Sequence, residues 1–229
     1  VGGRWGGART GVAARGEEMV GLARRQGRNI VCLRADRGDN RRNLCAWLGL
    51  TAGVVAHRIS VELAIAIVSL RDKKSDDEIR EIEEACEIGY RMHTTAMRMC
   101  RPGVRERDIA GAIAGVTLEM GDGVSFHSIV TQHGETLHNH SHNGILESGR
   151  MLLVDAGAEN LMNYCSDFTR TYPVNGTFTP MQRDIYNIVL AANARAFELA
   201  RPGILYRDVH FAAVRVILEG LSALGLVKG

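Results

Sequence analysis

At 229 residues, with 45% hydrophobic and 24% charged side chains, the chain is long enough to bury a sizeable core and reads as one domain plus a piece of another. Its apolar runs fall short of the roughly 18 residues a membrane span needs, and its five cysteines (Cys32, Cys45, Cys86, Cys100, Cys165) are odd in number and form no CxxC pair. This excludes a spanning helix and favours reduced thiols in a cytoplasmic protein. The net charge of +2 is uneven, since residues 1–42 hold ten Arg against four acids, a balance of +6 that leaves −4 for the rest. Those arginines are mixed with glycine and acids and lack the interleaved aromatics of a base-stacking surface, which argues against nucleic-acid binding.

In chain order, Val1–Arg25 is Gly- and Arg-rich with little periodicity and is expected to be poorly ordered. The chain opens on Val1 rather than Met, so its natural start is expected upstream. Gly27–Leu33 reads as one strand, Asn40–Gly49 as a short helix, and Ser60–Leu70 as a helix or a strand running into Arg71-Asp72-Lys73-Lys74. Ser75 with Glu78 three residues on has the form of a capping box, so a helix is expected from there. Ile79, Ile82, Cys86, Met92, Ala96 and Met99 give it an apolar stripe, and Arg101-Pro102-Gly103 stops it. A second helix, about Arg105 to Met120, is expected to bury Ile109, Ile113 and Val116 and to end at Gly121-Asp122-Gly123. Thr179-Pro180-Met181-Gln182 is a further capping box with Pro at the first helical position. Its helix carries Ile185, Ile188, Val189, Ala192 and Ala196 as far as Arg201-Pro202-Gly203. RPGVRERD from Arg101 and RPGILYRD from Arg201 share five of eight residues at an offset of 100, an internal repeat.

Between the two helix pairs lie the residues that carry chemistry. Met151-Leu152-Leu153-Val154 reads as a buried strand that delivers Asp155 to a turn at Ala156-Gly157. Tyr164–Tyr172 alternates Ser166, Phe168 and Arg170 on one face with Asp167, Thr169 and Thr171 on the other, a second strand. If the reversal between them is centred on Leu161, Asp155 and Asp167 stand directly opposite, with Cβ atoms about 4.5–5.5 Å apart. Two carboxylates so placed repel unless something positive compensates them. A pair of metal ions about 3.5–4 Å apart would do so, and would clamp a water nucleophile and a substrate oxygen. The competing reading makes one acid a turn cap and the other a solvated strand residue. Five of the eight histidines, His127, His133, His138, His140 and His142, fall in the preceding segment, and a run such as His138–Asn143 reads equally as a solvated loop.

The segment DAGAENLMNYCSDFTRTYPVNGTFT from Asp155 resembles the metal-binding hairpin of the pita-bread metallopeptidases, in particular the Xaa-Pro aminopeptidase and prolidase branch. The pattern there is DAG, about ten residues, then SDxTRTxPV. The resemblance runs from about Ser75 to the last residue, with a weaker continuation upstream to about Gln26. It implies an α+β pita-bread fold, of which this chain holds the first half and the second half's helix pair. Residues 1–74 would be the end of a smaller N-terminal domain, and residues 75–229 an incomplete catalytic domain. It implies that Asp155 ligates one metal and Asp167 bridges two, typically manganese, with cobalt or zinc as alternatives. His138, in the Leu137-His138 pair ahead of the DAG strand, would face substrate, while His140 and His142 are structural or solvated. The remaining ligands, a histidine and two glutamates, would lie beyond Gly229, so this chain is expected to be inactive alone. The implied activity is release of the N-terminal residue from peptides with proline in second position, by a protein that is a homo-oligomer at full length. A prolidase acting on dipeptides and a non-catalytic binding relative stay open as alternatives, the latter disfavoured by the two acids.

Overall fold

The structure, a computed structural model, describes residues 12–228. It divides into two compact units, one up to Ser75 and one from Asp76.

The first unit is helical. Helix α1 (Val12–Arg25) forms where little order was expected; residues 1–11 lie outside the described residues. Its Gly16 and Gly21 oppose helix formation, but Val20 packs on a small core of Cys32, Leu48 and Val55, and packing of this kind overrides weak propensity. Gly27–Leu33 is not a strand. It makes one parallel bridge, Cys32 to Ile59, which among the described residues does not extend into a ladder. Helix α2 (Gly38–Leu48) closes on Gly49 at φ 62°, and α3 (Ala52–Ala56) follows. The ambiguous run after Ser60 is helix α4 (Val61–Arg71), settled by Ser60, whose Oγ accepts the Leu63 N–H at 3.0 Å.

The second unit sets a helix hairpin, α5 (Asp76–Met99) and α6 (Glu106–Met120), against an antiparallel sheet. The sheet has the order β2 (Ile129–Thr131), β3 (Met151–Ala156), β5 (Phe168–Pro173), and a separate short ribbon pairs β1 (Gly123–Val124) with β4 (Ala158–Glu159). Ile88, Met92 and Ala96 of α5, Ile109 and Ile113 of α6, and Val130, Leu152, Val154 and Ala156 of the sheet form one core. The face of α5 that meets the sheet runs through Ala85, Ile88, Met92 and Ala96, whereas Ile79 is exposed and Ile82 and Cys86 are half-buried. The expected stripe was rotated at its N-terminal end, because several apolar faces coexist on a 24-residue helix and the sheet selects among them.

Helix α7 (Pro180–Leu199) begins in the expected capping box: Thr179 Oγ1 accepts the Gln182 N–H, and Gln182 Oε1 accepts the Thr179 N–H. It packs on α8 (Tyr206–Ala223). Of this pair only Ala192 is buried.

Candidate active site

Strand β3 alternates cleanly. Leu152, Val154 and Ala156 are buried under the helices, and Met151, Leu153 and Asp155 are half-buried on the other face. Asp155 is therefore an acid at the end of an apolar strand, as the sequence implies. The chain then passes through Gly157, where a Cβ would collide with the Ser166 carbonyl and come within 2.6 Å of Ser125 Oγ. Only glycine allows that approach. Ser166 is stitched in from several sides: Ser125 Oγ donates to its carbonyl at 2.8 Å, its own N–H donates to Ala158 O at 2.9 Å, and its Oγ accepts the Ala158 N–H at 3.1 Å. This knot holds the residue immediately before Asp167 against the turn that follows Asp155.

The register differs by two residues from the expected one, with the centre of the reversal moved by one. Thr169, not Asp167, lies opposite Asp155, and the reversal is centred on Met162. The cause is the Asn160–Tyr164 turn. Asn160 Oδ1 accepts the N–H groups of Met162 and Tyr164, Asn160 N–H donates to Tyr164 O, and Asn163 takes a left-handed φ of 64°. Asp167 thus sits diagonally from Asp155 on the same face of the hairpin, still within reach of a polar side chain. Asp167 is itself exposed, yet partial desolvation, then the charge of Asp155, then a hydrogen bond shared with Asp155 push its pKa above the usual aspartate range.

Asp155 Oδ1 is buried, and no donor among the described residues reaches it. Neither acid has a salt-bridge partner among the described residues. A desolvated carboxylate oxygen without a donor, beside a second acid, is a site that a cation would stabilise, and oxygen donors suit hard divalent ions. The pair fits such an ion as two of its ligands; no group of three or more metal-binding side chains occurs among the described residues.

His138 stands apart. It is exposed, with φ 51°, in the segment after β2, and among the described residues it hydrogen-bonds to neither acid. The other histidines of that segment are not a uniform solvated run. The His127 and His140 rings stack with centroids 4.5 Å apart, His142 meets His127 edge-on at 5.7 Å, and His142 Nε2 lies 3.1 Å from Ser128 O. His133 Nδ1 is 2.9 Å from Glu135 Oε1.

One neighbour escaped the sequence reading. His93 of α5 is buried, with Nε2 3.3 Å from the carbonyl of Ala156 and its ring edge-on to Phe168. Burial lowers its pKa, so it supports the turn after Asp155 as a neutral ring. Its position beside Met92 and three residues before Ala96, on the apolar face, was the available signal.

Helix hairpin, antiparallel sheet and paired acids at the strand end together make the α+β pita-bread arrangement. The pattern for metallopeptidase family M24 matches residues 80–227, and the chain belongs to that family. It is 34% identical over 184 residues to the Xaa-Pro aminopeptidase of Escherichia coli (strain K12), which covers 79% of this chain and 42% of that protein. Among solved structures, proline aminopeptidase P II from Yersinia pestis superposes with a TM-score of 0.75 at 33% identity, covering 93% of this chain and 50% of that one. Aminopeptidase P from Escherichia coli with the inhibitor Pro-Leu gives 0.65 at 39% identity, covering 68% and 36% respectively. The chain thus spans half or less of the length of each of these relatives. Membership of a metallopeptidase family implies divalent metal ions, and no helix among the described residues is long and apolar enough to cross a membrane.

Proposed function

We propose that this protein is a metal-dependent aminopeptidase that releases the N-terminal residue from peptides with proline in second position. Residues 1–74 then belong to an N-terminal domain and residues 75–229 to the catalytic one. The observation that carries the reading is the buried, donorless Asp155 Oδ1 beside Asp167. The similarity to Xaa-Pro aminopeptidases supplies the substrate class. Asp155 and Asp167 would hold divalent ions, manganese before cobalt or zinc, which when bound polarise a peptide carbonyl and lower the pKa of water. The chain's own part is to keep the two carboxylates side by side through the Gly157–Ser166 knot, and to present His138 to substrate. Imidazole there donates a hydrogen bond that strengthens as negative charge develops on the carbonyl oxygen. We further propose a cytoplasmic homo-oligomer.

The test is hydrolysis of an Xaa-Pro peptide by protein expressed from its complete reading frame, with metal measured on the same samples. His138→Ala is expected to lower kcat about 10²–10³-fold with metal content unchanged, and Asp155→Ala to lower both. Near-normal turnover in His138→Ala, or metal loss matching that of Asp155→Ala, sinks the assignment of His138. Cleavage of Xaa-Pro dipeptides in preference to longer peptides would make the protein a prolidase instead.

A further inference from the structure

Glu106, the first residue of α6, is 2% exposed. Its Oε1 accepts the backbone N–H of Gln132 at 2.8 Å, and its Oε2 accepts the backbone N–H of Gly144 at 2.9 Å. The Glu106 N–H donates in return to the Gly144 carbonyl at 2.9 Å. One buried carboxylate therefore joins the two ends of the segment that holds His133, His138, His140 and His142. Glycine at 144 leaves room for the carboxylate, because a Cβ there would stand 2.6 Å from Oε1 and 2.7 Å from Cδ and would have to displace the Glu106 side chain. Gln132 extends the clasp: its Nε2 donates to Ile145 O at 2.8 Å, and its Oε1 accepts the Glu147 N–H at 3.1 Å.

The clasp is registered to the strand that carries the acids. Thr131, the last residue of β2, is buried, and its Oγ1 accepts the His133 N–H at 3.0 Å and Asn139 Nδ2 at 3.1 Å. Asn139 is the neighbour of His138. Strand β2 pairs with β3 so that Ile129 lies opposite Asp155 and Thr131 opposite Leu153. Hydrogen bonds to a carboxylate out of water are among the stronger ones available. Holding the loop ends together also lowers the conformational freedom of the residues between them. His138 takes its left-handed φ of 51° within this tethered segment.

We infer that Glu106 is a positioning residue, whose carboxylate closes the 132–144 loop and thereby fixes where His138 stands relative to Asp155 and Asp167. The part concerning His138 rests on the proposed function; the clasp does not.

Hydrogen exchange on the 229-residue chain tests the clasp without any activity. Glu106→Gln replaces one acceptor oxygen by a donor and is expected to speed exchange of the Gln132 and Gly144 amides by about tenfold or more. The Leu152 and Val154 amides of β3 keep their rates. Gly144→Ala displaces the same carboxylate from the other side and should give the same pattern, so the test holds even where Glu106→Gln does not fold. Unchanged rates at Gln132 and Gly144, or uniform acceleration along the chain, overturns the clasp. For positioning, Glu106→Gln in the protein from its complete reading frame should lower kcat on an Xaa-Pro peptide about tenfold with metal content unchanged. In a His138→Ala background that loss should vanish, because Glu106 acts through His138. Losses that multiply independently overturn the positioning role. Absence of hydrolysis by the unmutated protein refutes the functional reading and the positioning role with it, while the exchange pattern still decides the clasp.

Discussion

The helix pairs α5–α6 and α7–α8 start from the same local device and meet different surroundings. In RPGVRERD, Gly103 takes φ 87° and the Val104 N–H donates to Arg101 O; in RPGILYRD, Gly203 takes φ 89° and the Ile204 N–H donates to Arg201 O. The next turn repeats as well, Asp108 N–H to Arg105 O and Asp208 N–H to Leu205 O. Beyond that the pairs diverge. The first lies on the sheet and buries Ile109 and Ile113 completely; in the second, α8 buries nothing and α7 only Ala192. Glu106 is locked in the loop clasp, whereas Tyr206, its counterpart in the repeat, is 87% exposed. Eight residues suffice to stop one helix and start the next. The layer packed against the helices decides what each side chain is worth.

The largest expected effect therefore separates equivalent apolar positions. Ile109→Ala should destabilise by about 2–5 kcal/mol, the range for emptying a buried aliphatic site, and Val209→Ala by about 1 kcal/mol or less, because its half-buried site leaves no closed cavity. Urea denaturation of both variants measures this, and equal losses would break the comparison.

Next comes association. Val189, Leu190, Phe197 and Phe211 leave a broad apolar surface on the second pair, and such surfaces favour self-association. Sedimentation is expected to show oligomers that Val189→Ser with Phe197→Ser dissociates. A cooperative monomer before substitution would show that the exposed face has no such consequence.

A pH effect belongs to the sheet-backed half. Partial desolvation and the charge of Asp155 raise the pKa of the exposed Asp167, so the stability linked to its proton is fully present below the ordinary aspartate value of 3.8 and lost as pH rises through the raised value. Metal-free protein should weaken across that window. Asp167→Asn should remove the slope, and Glu198→Gln on α7 should keep it. A slope that survives Asp167→Asn would assign the effect to another group. The smallest effect is expected at Tyr206→Ala, within about 0.5 kcal/mol, and a larger loss would mean that the repeat position carries a contact of its own.

Much of this was legible in the residues because it is local. Thr179 with Gln182 is a cap whose partners lie three residues apart, Arg-Pro-Gly ends a helix wherever it occurs, and an apolar run closed by Asp155 and Gly157 is a strand that presents an acid at a turn. The words from Asp155 to Val174 were enough to place the chain near its family. Register was not legible: the one-residue step from Leu161 to Met162 depends on Asn160 closing its own turn and on Asn163 turning left-handed. Nor were the strand at Gly27–Leu33 that became a single bridge, the face of α5 that meets the sheet, or the roles of His93 and Glu106. Each of those depends on a partner far away in sequence: Ile59, the sheet, Ala156, Gln132 and Gly144. Local propensity carries no record of which distant group will arrive, and burial, which gives a carboxylate or an imidazole its significance, exists only once it has.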